Sequence, residues 1–210
     1  MRIAVIGATG HTGTHVIEQG LERGHYMTAL ARRPEAVARR DENLTVARAD
    51  ALDGEQLSEA MAGCEAVISA LGSGSSRAPT VIYSQGIANA VTAMKANAVN
   101  KLAVISAAPV GPRADQPFLE RRMAMPILER VFGATYDDMR RMETLLATSK
   151  IDWVSLRPPR LVDKPATGTY RLHATPLPKA RSITYPDLAT ALLDSLDRQD
   201  LYRRAAFVAN

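Results

Sequence analysis

Arg2-Ile3-Ala4-Val5-Ile6-Gly7-Ala8-Thr9-Gly10-His11-Thr12-Gly13 is the stretch whose reading decides the fold. An apolar run passes straight into three glycines spaced three apart, and a helical pattern follows, so the segment reads as strand, glycine-rich turn, helix. Backbone N–H groups reach a pyrophosphate only where the turn is tight and carries no Cβ at the closest approach. A helix starting near Thr12 then aims its partial positive end and unpaired N–H groups at that anion. The third glycine, Gly13, lets this helix lie close to the strand. The spacing is G-x-x-G-x-x-G rather than the commoner G-x-G-x-x-G, and glycine triplets also collect in plain turns. The preceding strand and the amphipathic helix behind make this one a dinucleotide site.

Working outward, the helix is expected over Thr12 to Arg23, burying Val16, Ile17 and Leu21, with Gly24 as the residue that ends it. Strand two covers Tyr26 to Ala31. An NAD-selective enzyme commonly carries Asp or Glu at the end of this strand, to accept from the adenosine ribose. Here Arg32 and Arg33 stand there instead. A carboxylate repels a 2′-phosphate, whereas guanidinium groups pair with it in bidentate fashion and stack on adenine, so the expected cofactor is NADP(H). Pro34 opens a short helix, and Leu44 to Ala47 make strand three. Asp50 beyond it either accepts from the adenine amino group or caps the helix beginning near Asp53. Strand four, Ala66 to Leu71, is a continuous apolar run suited to burial on both faces. It breaks at Gly72-Ser73-Gly74-Ser75-Ser76, a turn placed where a parallel sheet forms its ligand crevice.

The rest of the chain keeps the same alternation. Helical spacing over Pro79 to Ala98 turns Ala90, Val91, Met94 and Ala98 inward, and Leu102 to Ser106 form strand five. Pro109, Gly111, Pro112 and Pro117 exclude regular structure after it. From Phe118 to Phe132, Leu119, Met123, Ile127, Leu128, Val131 and Phe132 recur at helical spacing, with Pro126 expected to break or kink the segment. Residues 109–133 therefore read either as a lid over substrate or as a stripe that packs. A helix over Asp137 to Ser149, strand six over Trp153 to Leu156, a short strand about Thr169 to Leu172, a last helix over Asp187 to Leu196 and a strand over Ala205 to Val208 complete the pattern. The fold expected is α/β, a doubly wound parallel sheet of Rossmann type. It fills one domain, 1–210, with 158–185 as a small C-terminal extension on the substrate side.

Composition narrows the function classes. The 210 residues suffice for one full core. No apolar run is long enough to span a bilayer, and no charged n-region with a long apolar h-region opens the chain, so no membrane association and a cytoplasmic location are expected. Cys64 is the single cysteine, which rules out an intrachain disulfide and points to a reducing compartment. Nothing near it favours a thiolate, and it reads as a small residue in the turn before strand four. The formal net charge of +4 suits an anionic cofactor. It does not indicate nucleic acid, since the basic residues are scattered and no aromatic platform lies among them. No metal-ligand spacing is present.

Ile3 to Gly10 with Gly13, then Ala31-Arg32-Arg33-Pro34, Ala49-Asp50-Ala51, Leu71-Gly72, and Leu156-Arg157-Pro158-Pro159 with Thr167-Gly168-Thr169-Tyr170 resemble the atypical short-chain dehydrogenase/reductases. Within that group the chain is similar to NAD(P)H-binding proteins related to NmrA and to biliverdin reductase B, the flavin reductase. The resemblance runs over nearly the whole chain and departs mainly at Pro109 to Phe132. It implies that Gly7, Thr9, Gly10, His11, Thr12 and Gly13 line the pyrophosphate, and that Arg32 and Arg33 hold the 2′-phosphate. Asp50 and Ala51 are implied at adenine, and Leu71 and Gly72 at the ribose nearest the nicotinamide. Ser106, the one catalytic candidate, and Ala107 flank the nicotinamide, with Pro158 and Pro159 bordering it opposite. Many relatives carry a second hydroxyl residue where Ala107 stands.

Classical members use a Tyr-x-x-x-Lys pair, in which tyrosine donates a proton and lysine lowers its pKa. Counting back from Glu143 puts Met139 at the lysine position and Thr135 at the tyrosine position. Tyr136 and Arg140 repeat the spacing one residue out of register, but arginine keeps its proton and one residue turns a helix by about a quarter circle, so the pair reads as structural. Without that acid, the expected activity is NADPH-dependent hydride transfer to a flavin, quinone or similar conjugated acceptor, whose reduced anion is delocalised. Pro159, Tyr170 and His173 would shape the acceptor side. The alternative is a non-catalytic NADP(H)-sensing regulator of the NmrA-like type. A sugar epimerase or dehydratase shares the fold but needs the dyad. The chain is expected to act as a monomer or homodimer.

Overall fold

The computed structural model describes residues 1–72, 74, 78–112, 122 and 125–210. These residues form ten strands and five α-helices. β1 (Arg2–Ile6), β2 (Tyr26–Ala31), β3 (Leu44–Arg48), β4 (Ala66–Ser69), β5 (Lys101–Ile105) and β6 (Asp152–Arg157) pair in parallel. β10 (Arg204–Ala209) continues the sheet parallel to β6, and β8 (Arg171–His173) closes it antiparallel. The strand order is β3-β2-β1-β4-β5-β6-β10-β8. Order reverses beside β1, so the crevice at the carboxyl ends of β1 and β4 is the topological switch point where such sheets take ligands.

Although Ile3 to Ile6 of β1 and Ala66 to Ile68 of β4 are apolar runs, their side chains still alternate between two core layers. Ile3, Val5, Ala66 and Ile68 face the layer shared with α1 (His11–Glu22) and α5 (Tyr185–Ser195). Ala4, Ile6 and Val67 face the layer covered by α2 (Gly54–Ala60), α3 (Ser84–Ala96) and α4 (Met125–Thr148). A fully buried Ile, Leu or Met contributes about 1.5–3 kcal/mol by leaving water, so both layers hold the helices firmly. α1 buries Val16 and Ile17, and α5 buries Leu188, Leu192 and, just past its end, Leu196, as their spacing predicts. Gly24 follows α1 at φ +75, and its N–H donates to the Leu21 carbonyl.

Several expectations need correcting. Pro126 does not interrupt α4. It lies in the first turn of α4, where its missing N–H is one of the helix's spare donors. The helix expected over 137–149 is the second half of this longer one. Ile127 is exposed rather than packed. The helix expected from Pro79 starts at Ser84. Its first turn is held from across the fold: Asp138 of α4, fully buried, accepts from the Tyr83 N–H at 2.9 Å and from the Ser84 hydroxyl. Ala98 lies past the end of α3 in the left-handed region (φ 55) and is exposed. A two-stranded parallel pair absent from the sequence reading, β7 (Arg160–Val162) with β9 (Ser182–Thr184), leads into α5. Ser73, Ser75 and Ser76 of the turn after β4, and Pro117, Phe118, Leu119 and Met123 of the lid segment, lie outside the described residues.

Candidate functional site

The three glycines of the turn do three separate things. Gly7 sits at φ +78, and a Cβ there would meet the Ala70 carbonyl oxygen at 2.5 Å. Gly13 allows α1 to touch the turn, since its Cβ would fall 2.2 Å from the Gly7 carbonyl oxygen. Gly10 faces open space: an added Cβ would approach only that same oxygen, at 3.4 Å. Those are the needs of a tight turn, of close helix–strand packing and of an anion that must come up to bare backbone. Gly10 is also the N-cap of α1 and supplies no capping side chain. In α2 and α5, by contrast, Asp53 and Thr184 accept from the first-turn N–H groups. The leading N–H groups of α1 thus lack a side-chain acceptor and point where a pyrophosphate would supply one. Thr9 and His11 are exposed around this spot, and Thr12 is buried beneath it. The His11 ring stacks on Tyr185 at 4.9 Å between centroids, joining the first residue of α1 to the first of α5.

Arg32 and Arg33 follow β2 directly, and both are exposed. Asp50 does not cap α2, a job that belongs to Asp53. It accepts from the Leu52 N–H at 3.0 Å, and its own N–H donates to Gln56 Oε1. Ala51 is buried, and its carbonyl accepts from Asn89 at 3.1 Å. Gly86 of α3 draws Ala51 and Leu71 together: a Cβ on it would lie 3.3 Å from Ala51 Cβ and 3.1 Å from Leu71 Cδ1. The sequence reading passed over Gly86, although a glycine inside a helical pattern is the usual mark of such an approach. Gly72 beside Leu71 is exposed.

On the far side of the switch point, β5 and β6 end together. The Ser106 N–H donates to the Leu156 carbonyl at 2.7 Å, and the Ala108 N–H to the Pro158 carbonyl at 2.8 Å. Ser106 and Ala107 are thereby brought against Pro158 and Pro159. The Ser106 hydroxyl is buried with no hydrogen-bond partner among the described residues. A buried hydroxyl left unpaired costs about 1–3 kcal/mol, so it suits a bound group with a polar edge, such as a carboxamide. Ala107 offers no second hydroxyl.

The dyad positions hold no acid–base chemistry. Met139 is buried among Met142 and Leu146, and Thr135 is nearly so. Tyr136 leans on Phe132 at 6.1 Å. Burial, reinforced by the Glu129 carboxylate, pushes its hydroxyl above the ordinary tyrosine value, away from an easily released proton. Arg140 is committed to Glu129 and Asp137, each at 2.7 Å, and to the Pro109 carbonyl, which ties α4 to the turn after β5. Three residues on, Glu143 takes a forked contact from Arg157 (Nη2 at 2.5 Å, Nε at 3.1 Å) and a bond from the Ser155 hydroxyl. Arg157 also lies over the Phe207 ring at 5.6 Å. This largely enclosed pair pins the end of β6, just before Pro158.

Tyr170 does not shape the acceptor side. Its hydroxyl donates to Asp194 near the end of α5, where Arg23 also binds, whereas the glycine turn meets the start of that helix. Burial and the Asp194 bond raise its pKa strongly. His173 is exposed and accepts from the Thr175 N–H. The 158–185 segment is anchored instead by buried Asp187, which accepts from the Thr167 and Gly168 N–H groups, from the Thr167 and Thr184 hydroxyls and from Asn210. Cys64 is buried, and burial pushes its thiol above the ordinary value. Among the described residues no cluster of three metal-ligating side chains occurs, and no helix is long and apolar enough to cross a membrane.

Comparison with known proteins gives the family and the fold. The family described as NAD(P)H-binding matches residues 7–199. An uncharacterised chloroplastic protein of Arabidopsis thaliana is 29% identical over 175 residues, 80% of this chain and 61% of its own length, so the chain spans under two thirds of that relative. Among solved structures, the oxidoreductase ylbE of Lactococcus lactis superposes with a TM-score of 0.83 at 18% identity, covering 100% of this chain and 91% of its own. A wide-type short-chain dehydrogenase/reductase of Veillonella parvula, solved with NADP, gives 0.78 at 18% identity over 100% and 94% of the two chains.

Proposed function

We propose that this chain, which belongs to the NAD(P)H-binding family, is an NADPH-dependent reductase that passes hydride to a flavin, a quinone or a similar conjugated acceptor. The observation that carries the reading is the filling of the dyad positions by Thr135 and Met139, with Tyr136 partly buried and Arg140 committed elsewhere. Reduction of a simple carbonyl needs a proton delivered with the hydride. A flavin or quinone accepts hydride into a delocalised anion that water can protonate, so a site that holds the two partners at near-attack distance suffices. Bound NADPH supplies the hydride. The protein's part is to bind its pyrophosphate at Gly7 to Gly13, its 2′-phosphate at Arg32 and Arg33, and its nicotinamide between Ser106, Ala107, Pro158 and Pro159. Asp50, Ala51, Leu71 and Gly72 complete the adenine and ribose walls. Within the family, the resemblance to NmrA-like proteins and biliverdin reductase B favours a cytoplasmic protein acting as monomer or homodimer.

Purified protein mixed with NADPH and a panel of FMN and quinones, followed at the nicotinamide absorbance band, tests the proposal. Acceptor-dependent oxidation above the background without protein supports it. Tight NADPH binding with no oxidation by any acceptor overturns it and leaves the NADP(H)-sensing regulator.

A further inference from the structure

The carboxyl ends of β2 and β3 lie side by side, with Ala31 opposite Arg48. Register partners in a parallel pair sit about 4.8 Å apart and send their side chains to the same face. Ala31 belongs to the core layer under α1, so Arg48 leaves the sheet on the α1 face. Arg32 and Arg33 follow Ala31 directly, and the uncapped start of α1 stands at the end of β1, the next strand over. Three guanidinium groups therefore border one corner of the crevice. All three are exposed, and none forms an ion pair among the described residues. Their neighbours differ: Arg39 is paired with Asp41, and Arg40 donates to the Val37 and Arg39 carbonyls. Like charges gathered without a counter-charge repel one another, and the arrangement is favourable only when an anion joins them.

We infer that Arg48 is a specificity residue for the cofactor, a third guanidinium on the 2′-phosphate of the adenosine ribose. The inference rests on the NADPH reading above. It differs from that reading in placing part of the selectivity on β3, a strand outside the glycine turn and outside the β2 loop. A dianionic phosphate has acceptor oxygens enough for several forked donors, and guanidinium groups arriving from two strands fix it from two directions. A plain alternative exists for Arg48, because β3 is the edge of the sheet and a charged residue there discourages pairing with other chains. An edge guard, however, acts on association and has no reason to distinguish NADPH from NADH.

Calorimetric titration of NADPH and NADH into the protein separates these roles. The comparison uses wild type, Arg48→Ala, Arg48→Gln and the Arg32→Ala, Arg33→Ala double variant. Both Arg48 variants are expected to lose about tenfold in NADPH affinity with NADH affinity unchanged. Adding Arg48→Ala to the double variant is expected to remove whatever preference the double variant retains. An unchanged NADPH-to-NADH ratio in both Arg48 variants, or an equal loss for both nucleotides, overturns the inference while leaving the NADPH reading intact. A wild type that binds the two nucleotides equally overturns the NADPH reading and this inference with it.

Discussion

Replacing Gly13 by alanine and Gly10 by alanine adds the same methyl group three residues apart, and the structure assigns the two changes opposite consequences. At Gly13 the new Cβ would lie 2.2 Å from the Gly7 carbonyl oxygen, 2.9 Å from its carbon and 3.0 Å from Ala8 Cα. All three are backbone atoms, so no side chain can swing aside, and α1 must withdraw by about 1 Å from the turn, an overpacking that typically costs about 2–3 kcal/mol. For a chain of this length that corresponds to a fall in Tm on the order of 5–10 °C. At Gly10 the backbone is extended (φ -82, ψ 165), a conformation any residue adopts, and the only contact among the described residues is one oxygen at 3.4 Å. Gly10→Ala should therefore melt within about 2 °C of wild type. Its methyl, however, stands where the pyrophosphate must reach the N–H groups, and NADPH affinity should fall on the order of a hundredfold. Circular dichroism melts without ligand and calorimetric titration with NADPH read the two effects separately. A Gly13→Ala protein that melts like wild type, or a Gly10→Ala protein that binds NADPH like wild type, refutes this division of labour.

Other substitutions probe the supports of the site. Burial works against the Asp187 carboxylate, but bonds from Thr167, Thr184 and Asn210 more than offset it and hold its pKa below the ordinary value. Asp187→Asn should cost about 2 kcal/mol at neutral pH. Because the folded pKa is depressed, that stabilisation is complete above the unfolded value of about 3.9 and fades as pH falls through the folded one. Urea titrations should thus show a constant gap from wild type between about pH 5 and 7 that narrows below about pH 4; a gap that widens on acidification counts against the assignment. Glu143→Gln strips the charge partner from largely enclosed Arg157, whose side chain is 13% exposed against 11% for Glu143. Breaking such a pair from one side costs about 3–5 kcal/mol, so a Tm within 2 °C of wild type, to choose an approximate bound, would show the pair to be dispensable. Cys64, buried and with its thiol pushed up, should react with iodoacetamide on the order of a hundredfold more slowly in the native protein than in urea. Equal rates would mean that the turn before β4 opens freely.

The sequence made the glycine turn and the strands on either side of it legible because there each local signal and its tertiary use coincide. Gly7, Gly10 and Gly13 are glycine for reasons that can be read from the chain, and Gly24 ends α1 as its position suggests. Arg32 and Arg33 stand out against the acid expected at the end of β2. The misses share a different physics. α3 begins at Ser84 because Asp138, 54 positions away, takes the donors of its first turn, and no nearby residue announces that. Pro126 reads as a breaker since proline breaks helix interiors, yet in a first turn it is harmless. β7 and β9 span three residues each, too short for period-two alternation to register. Tyr170 reads from its neighbours in sequence, while its hydroxyl is directed by Asp194 of α5, which Arg23, just past α1, also binds.

The bare N-cap at Gly10 also sets how the folded state is maintained. A serine or aspartate there would cap α1 and add about 1 kcal/mol to a protein without ligand, but its side chain would occupy the anion's place. Glycine keeps the place open, and the missing acceptor has to come from the surroundings. Folding equilibrium is then coupled to the nicotinamide nucleotide pool, with bound nucleotide at a hundred times its Kd raising stability by about 2.7 kcal/mol. A cell whose pool drains would leave the chain more open to unfolding and proteolysis, so the abundance of this protein would follow the concentration of its own ligand.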